Sequence, residues 1–206
     1  MSDLCCPVSN FDHVIGPVDA PVTLLQYGDF HCPWCREAYP IVRALRRSAG
    51  AALRVAFRHF PITEFHRSAP PAAQAAESAA VEEKFWEIHS ALFERPPLVS
   101  TRALLACARD IGLDTERVAS DLARGEHVSH VAADFLSGVR SGVYVTPAIF
   151  INGVRFNGRW DLESLERAIA RATLPERIEG VVSRATPHAA VVRRRVKSRD
   201  DFRWCD

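Results

Sequence analysis

No run of about 18 apolar residues occurs in the 206-residue chain, so none of its helices is expected to span a bilayer. The opening stretch, MSDLCCPVSNFDHVIGP, has neither a basic start nor a continuous apolar core, and so does not read as a secretory signal. If this is the native start, the expectation is a cytoplasmic protein, in a reducing compartment that disfavours structural disulfides. Net charge is nearly absent, at +1, which argues against general attraction to nucleic acid or to membrane. There is no internal repeat. Cysteine is restricted to Cys5, Cys6, Cys32, Cys35, Cys107 and Cys205, with a single CxxC pair and no second one. Adjacent Cys5 and Cys6 would strain a mutual bond, so the even count carries little weight. A structural zinc site usually draws four N/S ligands from two such pairs, and His31 beside Cys32 points elsewhere, so no metal is expected at the pair.

What is present is a chain able to build a core, with 48% hydrophobic and 25% charged residues. PVTLLQYGDF predicts a buried strand over 22–27. PWCREAYPIVRALRRSAG then changes to helical spacing and closes on Gly50, with Pro40 expected to kink the helix. ALRVAFRHFP, residues 52–61, predicts a second strand, completing a right-handed βαβ unit with parallel strands. From about 62 to 142 the pattern predicts an inserted lobe of four helices. TPAIFINGVRFNG, residues 146–158, then predicts a hairpin turning at Asn152-Gly153. DLESLERAIARA, residues 161–172, predicts an amphipathic helix capped by Asp161. The expected order is β-α-β, helical insertion, β-β-α. The tail 174–206, with RRRVKSR and a terminal DFRWCD, shows no clear period.

The chemistry resides in YGDFHCPWCREAYP, residues 27–40. A cysteine attacks as thiolate, and a helix N-terminus stabilises that anion through unpaired N–H groups and the dipole. Cys32 falls where strand gives way to helix, and Pro33 suits the first helical position because its missing N–H would be unpaired there. Cys35 lies one turn on, on the same face. The spacing supplies an exposed, acidic thiol and a more buried one able to resolve a mixed disulfide formed on it. From the residues alone, Thr146-Pro147 either begins a strand or marks a fixed local geometry.

YGDFHCPWC, FRHFP, KFWEIHSALFE and GVYVTPAIFING follow one another as in DsbA-like thioredoxin-fold proteins, which the chain resembles over about residues 11–172. The resemblance is to the bacterial thioredoxin-like branch with a helical insertion, also found fused to some sodium/proton antiporters. It implies an α/β thioredoxin fold over 11–173, with the helical lobe at about 62–142 and residues 174–206 as a tail of unknown role. It also implies that Thr146-Pro147 is a cis peptide beside the disulfide, presenting Thr146's backbone to a substrate chain. One departure stands out. Where many relatives carry a buried Glu or Asp to accept the inner thiol's proton, this sequence has Gln26, an amide that cannot titrate. Cys35 is therefore expected to lose its proton through water or a nearby acid, Asp29 being the candidate.

Other residues remain open on the sequence. His31 is either a tuner of the thiolate or plain surface. Trp34 is expected to shield the disulfide and touch client chains, and Pro33-Trp34 differs from thioredoxin's Gly-Pro. Cys107, in helical register with Leu104 and Ile111, reads as core. Phe85, Trp86, His89 and Phe93 read as packing of the lobe rather than a cofactor box. Cys5, Cys6 and Cys205 are inert or form a regulatory disulfide, and Cys205 is a conceivable internal substrate for Cys32. The expectation is a thiol–disulfide oxidoreductase acting on protein or peptide thiols. Glutathione or a thioredoxin-type protein is its electron partner, and the Cys32–Cys35 disulfide serves in place of a bound cofactor. The rivals are a glutathione-dependent kappa-type transferase or isomerase, and a redox-sensing or metal-holding module without turnover.

Overall fold

The computed structural model describes residues 3–174. In chain order, β1 (His13–Ile15) and β2 (Val22–Gly28) lead into α1 (Pro33–Ala49). After a 3-10 turn over Gly50–Ala52 comes β3 (Leu53–His59). Five helices follow: α2 (Ala69–Ala80), α3 (Phe85–Glu94), α4 (Thr101–Asp110), α5 (Thr115–Arg124) and α6 (Val128–Arg140). Then come β4 (Ala148–Ile151), β5 (Val154–Arg155) and α7 (Leu162–Thr173). No described helix is long and apolar enough to cross a membrane.

The strands form one mixed sheet in the order β1-β3-β2-β4-β5. β2 and β3 are parallel, with Leu24 opposite Val55, and α1 is the crossover between them. β4 runs antiparallel to β2, with Leu25 opposite Phe150. Both faces of the sheet are covered, so the central strands are apolar at nearly every position. Val22, Leu24, Leu53, Val55, Ile149 and Ile151 pack with Val42 and Leu45 of α1 and with Leu165 and Ile169 of α7. The alternate residues Leu25, Tyr27, Ala56, Ala148 and Phe150 pack on the other face, where Phe60 and Phe135 join them.

α2 is the axis of the inserted lobe, in contact with α3, α4, α5 and α6. Its alanines at 69, 72, 73, 75, 76 and 79 are buried, and their small side chains let four helices approach one backbone. Capping follows the sequence closely. Ser100 accepts from the Ala103 N–H, Asp114 from Glu116 and Arg117, and Asp161 from Ser164. Each such cap is worth about 0.5–2 kcal/mol. The hairpin turns at Asn152 (φ 47°) and Gly153 (φ 82°), the positive-φ pair expected of Asn-Gly.

Two expectations need correction. The lobe has five helices rather than four, because the chain breaks between Ala80 and Phe85 and so divides α2 from α3. Glu83 takes a left-handed conformation there (φ 60°), and the Lys84 N–H closes onto the Ala79 carbonyl. Neither glycine nor proline marks the break, so the composition reads straight through it. The second is β1, a three-residue edge strand paired antiparallel to β3 and too short to show a period in the sequence. The tail from residue 175 on, with its basic run and Cys205, lies outside the described residues.

Candidate active site

β2 ends at Gly28, and three residues carry the chain to Cys32, the N-cap of α1 (φ −71°, ψ 122°), with Pro33 at the first helical position. Proline has no N–H to offer, so the amides of Trp34 and Cys35 are the ones that address the Cys32 sulfur. Cys32 is 4% exposed and Cys35 wholly buried. The Cys32 thiol is lowered to about 6, first by a hydrogen bond from Cys35, against burial that pushes it up. The Thr146 side chain and the Cys35 and Trp34 amides lower it further. Cys35 is pushed well above the ordinary thiol range, by burial first and by Cys32 second, while the Asp29 N–H donates to its sulfur at 3.5 Å. One sulfur is thus set to be an anion and its neighbour to remain a thiol.

Thr146 and Pro147 stand beside this pair, joined by a cis peptide bond. As a thiol, Cys32 donates to the Thr146 carbonyl at 3.3 Å. The Thr146 hydroxyl is buried with no partner among the described residues, so it is available as a donor to the ionised sulfur. Trp34, Ala38, Ile41, Val145, Pro147 and Trp160 contribute to a cleft of about 460 Å³ next to the thiols. Trp34, Tyr144 and Val145 are 67%, 77% and 63% exposed, leaving apolar surface around the outer sulfur.

The residues expected to tune the pair fall into different roles. Asp29 is buried, and its carboxylate accepts from the His31 N–H (2.7 Å), the Ile62 N–H (3.0 Å) and His66 Nδ1 (2.9 Å). With three donors in place it acts as a clamp on the loop before Cys32; its main chain, not its acid group, faces Cys35. His31 is buried rather than on the surface, and burial pushes its pKa below the ordinary imidazole range. A cationic His31 beside the thiolate is therefore disfavoured. Gln26 is buried with its Nε2 unpartnered. It lines a cavity of about 340 Å³ together with Tyr39, Phe57, Trp86 and His89. Burial pushes His89 down to about 3, and neither of its ring nitrogens has a partner among the described residues. This cavity has the room and the polar edges that ordered water requires.

Two contributors were not anticipated. His66 anchors Asp29 from 37 residues away, and Arg36 donates to the carbonyls of Phe93 (2.5 Å) and Arg95, locking α1 to the end of α3. Both are single polar residues whose partners lie on other elements, so no local pattern announces them. Cys107 is buried and its thiol raised by burial, as suits an inert core residue. The rings of Phe85, Trp86 and Phe93 surround His89, with centroids 4.9–5.9 Å from its own. Cys5 and Cys6 bring their sulfurs within 3.0 Å of each other, with Cys5 exposed.

The family model described as Thioredoxin matches residues 9–171. The chain is 37% identical over 187 residues to the Na(+)/H(+) antiporter NhaA 3 of Salinispora tropica. It is 39% identical over 171 residues to the Na(+)/H(+) antiporter NhaA 1 of Salinispora arenicola. Those matches take in 90% and 82% of this chain but 28% and 26% of the longer proteins, whose name describes them and not this chain. Among solved structures, oxidised BdbD from Bacillus subtilis superposes with a TM-score of 0.74 at 24% identity, covering 81% of this chain and 95% of that one. A thioredoxin-like oxidoreductase from Silicibacter pomeroyi gives 0.71 at 28% identity, over 80% and 93% of the two chains. Alpha-DsbA1 of Wolbachia pipientis gives 0.72 at 19%, over 84% and 96%. With the family match running from ahead of β1 into α7, the chain belongs to the thioredoxin family, and it shares its fold with these three structures.

Proposed function

We propose that Cys32 and Cys35 are the redox pair and that the clients are protein or peptide thiols and disulfides. The observation that carries this is the asymmetry of the two sulfurs: an N-cap thiol lowered to about 6 beside a buried one raised well above the ordinary range. In the oxidised enzyme, a client thiolate attacks the Cys32 sulfur. The S32–S35 bond breaks, and its electron pair leaves on Cys35, which takes a proton. A second client thiolate then attacks the client sulfur of the mixed disulfide. Cys32 departs as a stabilised thiolate, and the client pair is oxidised by two electrons. In reverse, the Cys32 thiolate opens a client disulfide, and Cys35 gives up its proton and closes onto Cys32.

Thr146 and the cleft beside Pro147 align the client. An extended chain lying there can pair with the backbone at 146 while its side chains meet Trp34, Val145 and Trp160. Gln26 cannot take the Cys35 proton, and Asp29 is committed to its three donors. Water in the cavity under Gln26 is the remaining carrier, and glutathione or a thioredoxin-type protein is the electron partner. A low outer pKa stabilises the reduced form and so favours an oxidising potential.

The test is the equilibrium of the pair against glutathione buffers, combined with trapping. Incubated with a disulfide-bonded peptide or with glutathione disulfide, the Cys35→Ala enzyme should accumulate a mixed disulfide on Cys32 with release of one thiolate, and Cys32→Ala should accumulate none. Equal trapping by both variants would remove the assigned roles.

A further inference from the structure

Apart from the thiols, histidine and carboxylate side chains from three elements converge on Glu77, in the second half of α2. Its Oε1 lies 2.7 Å from His13 Nε2, on β1, and 2.7 Å from His59 Nε2, at the end of β3. Its Oε2 lies 3.4 Å from His130 Nδ1, on α6. His130 Nε2 is in turn 4.0 Å from Asp134 Oδ2, and that same oxygen accepts the His59 N–H at 2.9 Å. Glu77 and His59 are almost fully buried. The His13 ring is held by stacking on Phe85, with centroids 3.6 Å apart and planes within 10°. The candidate ligand atoms of His13, His59 and Glu77 all lie within 4.8 Å of one another.

From this convergence we infer a second site, independent of the disulfide chemistry: His13, His59 and Glu77 bind a zinc-type divalent ion, with His130 as the fourth ligand. Three imidazoles and one carboxylate form a donor set suited to zinc and its neighbours, whereas calcium and magnesium need more oxygen. Zinc holds such ligands tetrahedrally at about 2.0–2.2 Å, which sets neighbouring ligand atoms roughly 3.3 Å apart. The contacts at 2.7 Å need to open by about half an ångström, and His130, which approaches the other carboxylate oxygen at 3.4 Å and lies outside the tight group of three, has to turn inward to complete the set. Binding requires each imidazole to present a lone pair at the nitrogen facing Glu77, so its ring proton sits on the other nitrogen. For His130 that other nitrogen faces Asp134, the carboxylate backing that metal-bound histidines commonly have. The rival arrangement, a buried carboxylate satisfied by imidazole N–H groups alone, needs no ion.

An ion here would join the edge strand, the end of β3, the central helix of the lobe and the helix leading back to the sheet. His59 also lies one ring from Phe30, with centroids 5.7 Å apart, so the site borders the loop that carries the thiols. The local sequence shows no sign of it, because each ligand comes from a separate element.

The experiment uses the full chain, oxidised at Cys32–Cys35, stripped with chelator and titrated with zinc or cobalt(II) alone. The expected result is one equivalent bound, a rise in melting temperature, and four-coordinate cobalt visible bands without sulfur-to-cobalt charge transfer. Affinity should fall about tenfold or more in His13→Ala and Glu77→Gln. It should stay unchanged in His127→Ala, whose ring contacts Asp121 outside the cluster. Should Glu77→Gln fail to fold, His13→Ala on the short edge strand decides alone. No uptake at equimolar ion, uptake undiminished in His13→Ala, or a thiolate signature in the cobalt spectrum would each overturn the site.

Discussion

A single residue, Cys32, concentrates the chemistry, because the helix amides and an inner thiol address its sulfur and a threonine hydroxyl without another partner among the described residues stands beside it. Its alkylation by iodoacetamide should be half-maximal near pH 6, where an ordinary cysteine reaches that point at about pH 8.5. Below pH 6 the sulfur protonates and the rate should fall. Thr146→Val removes one donor and should move the midpoint upward; an unmoved midpoint would show that the hydroxyl does not reach the anion. Gln26→Glu places a titrating group in the cavity that Gln26 shares with His89 and should add a step to the pH profile of exchange. A profile identical to that of the parent would remove Gln26 from the account of proton transfer. His66 shows how a distant residue enters such a site: without it, one of the three donors that fix the Asp29 carboxylate is lost.

At the scale of elements, small residues set the spacing. On α6, a Cβ built at Gly138 would sit 2.6 Å from the Phe60 ring and 3.1 Å from Tyr27, so the helix reaches the sheet only because that atom is missing. Gly138→Ala should lower stability by about 1–3 kcal/mol through overpacking, read as a lower urea midpoint with the slope unchanged. The alanines of α2 act in the same way within the lobe. Much at this scale was legible beforehand: the strand over 22–27, the helix opening at Pro33, the Asn152-Gly153 turn and the cap at Asp161. Each signal is contained in a few consecutive residues. The break after Ala80 was not legible, because Glu83 adopts positive φ without any residue that favours it. What rewards the break is packing, which sets Phe85 against His13 and Phe57.

Across the molecule, buried charge ties distant segments together. Arg58 on β3 grips Asp12 through Nε (2.5 Å) and Nη2 (3.1 Å), and also donates to Tyr27 Oη and to the carbonyls of Cys6 and Pro7. Asp12→Ala leaves that guanidinium buried without its carboxylate and should cost about 3–5 kcal/mol in chemical denaturation, with faster proteolysis ahead of β1. The sequence by itself determined the thioredoxin-like order of elements and the CPWC pair at a helix mouth, since strand alternation, helical period and capping act over a turn or two of chain. Only the tertiary structure decided that His31 is buried, that Asp29 is a clamp, that Arg36 locks α1 to α3 and that His13, His59 and His130 gather on Glu77. Those contacts join residues tens of positions apart, and which imidazole reaches which carboxylate is settled when the sheet and the lobe close on each other.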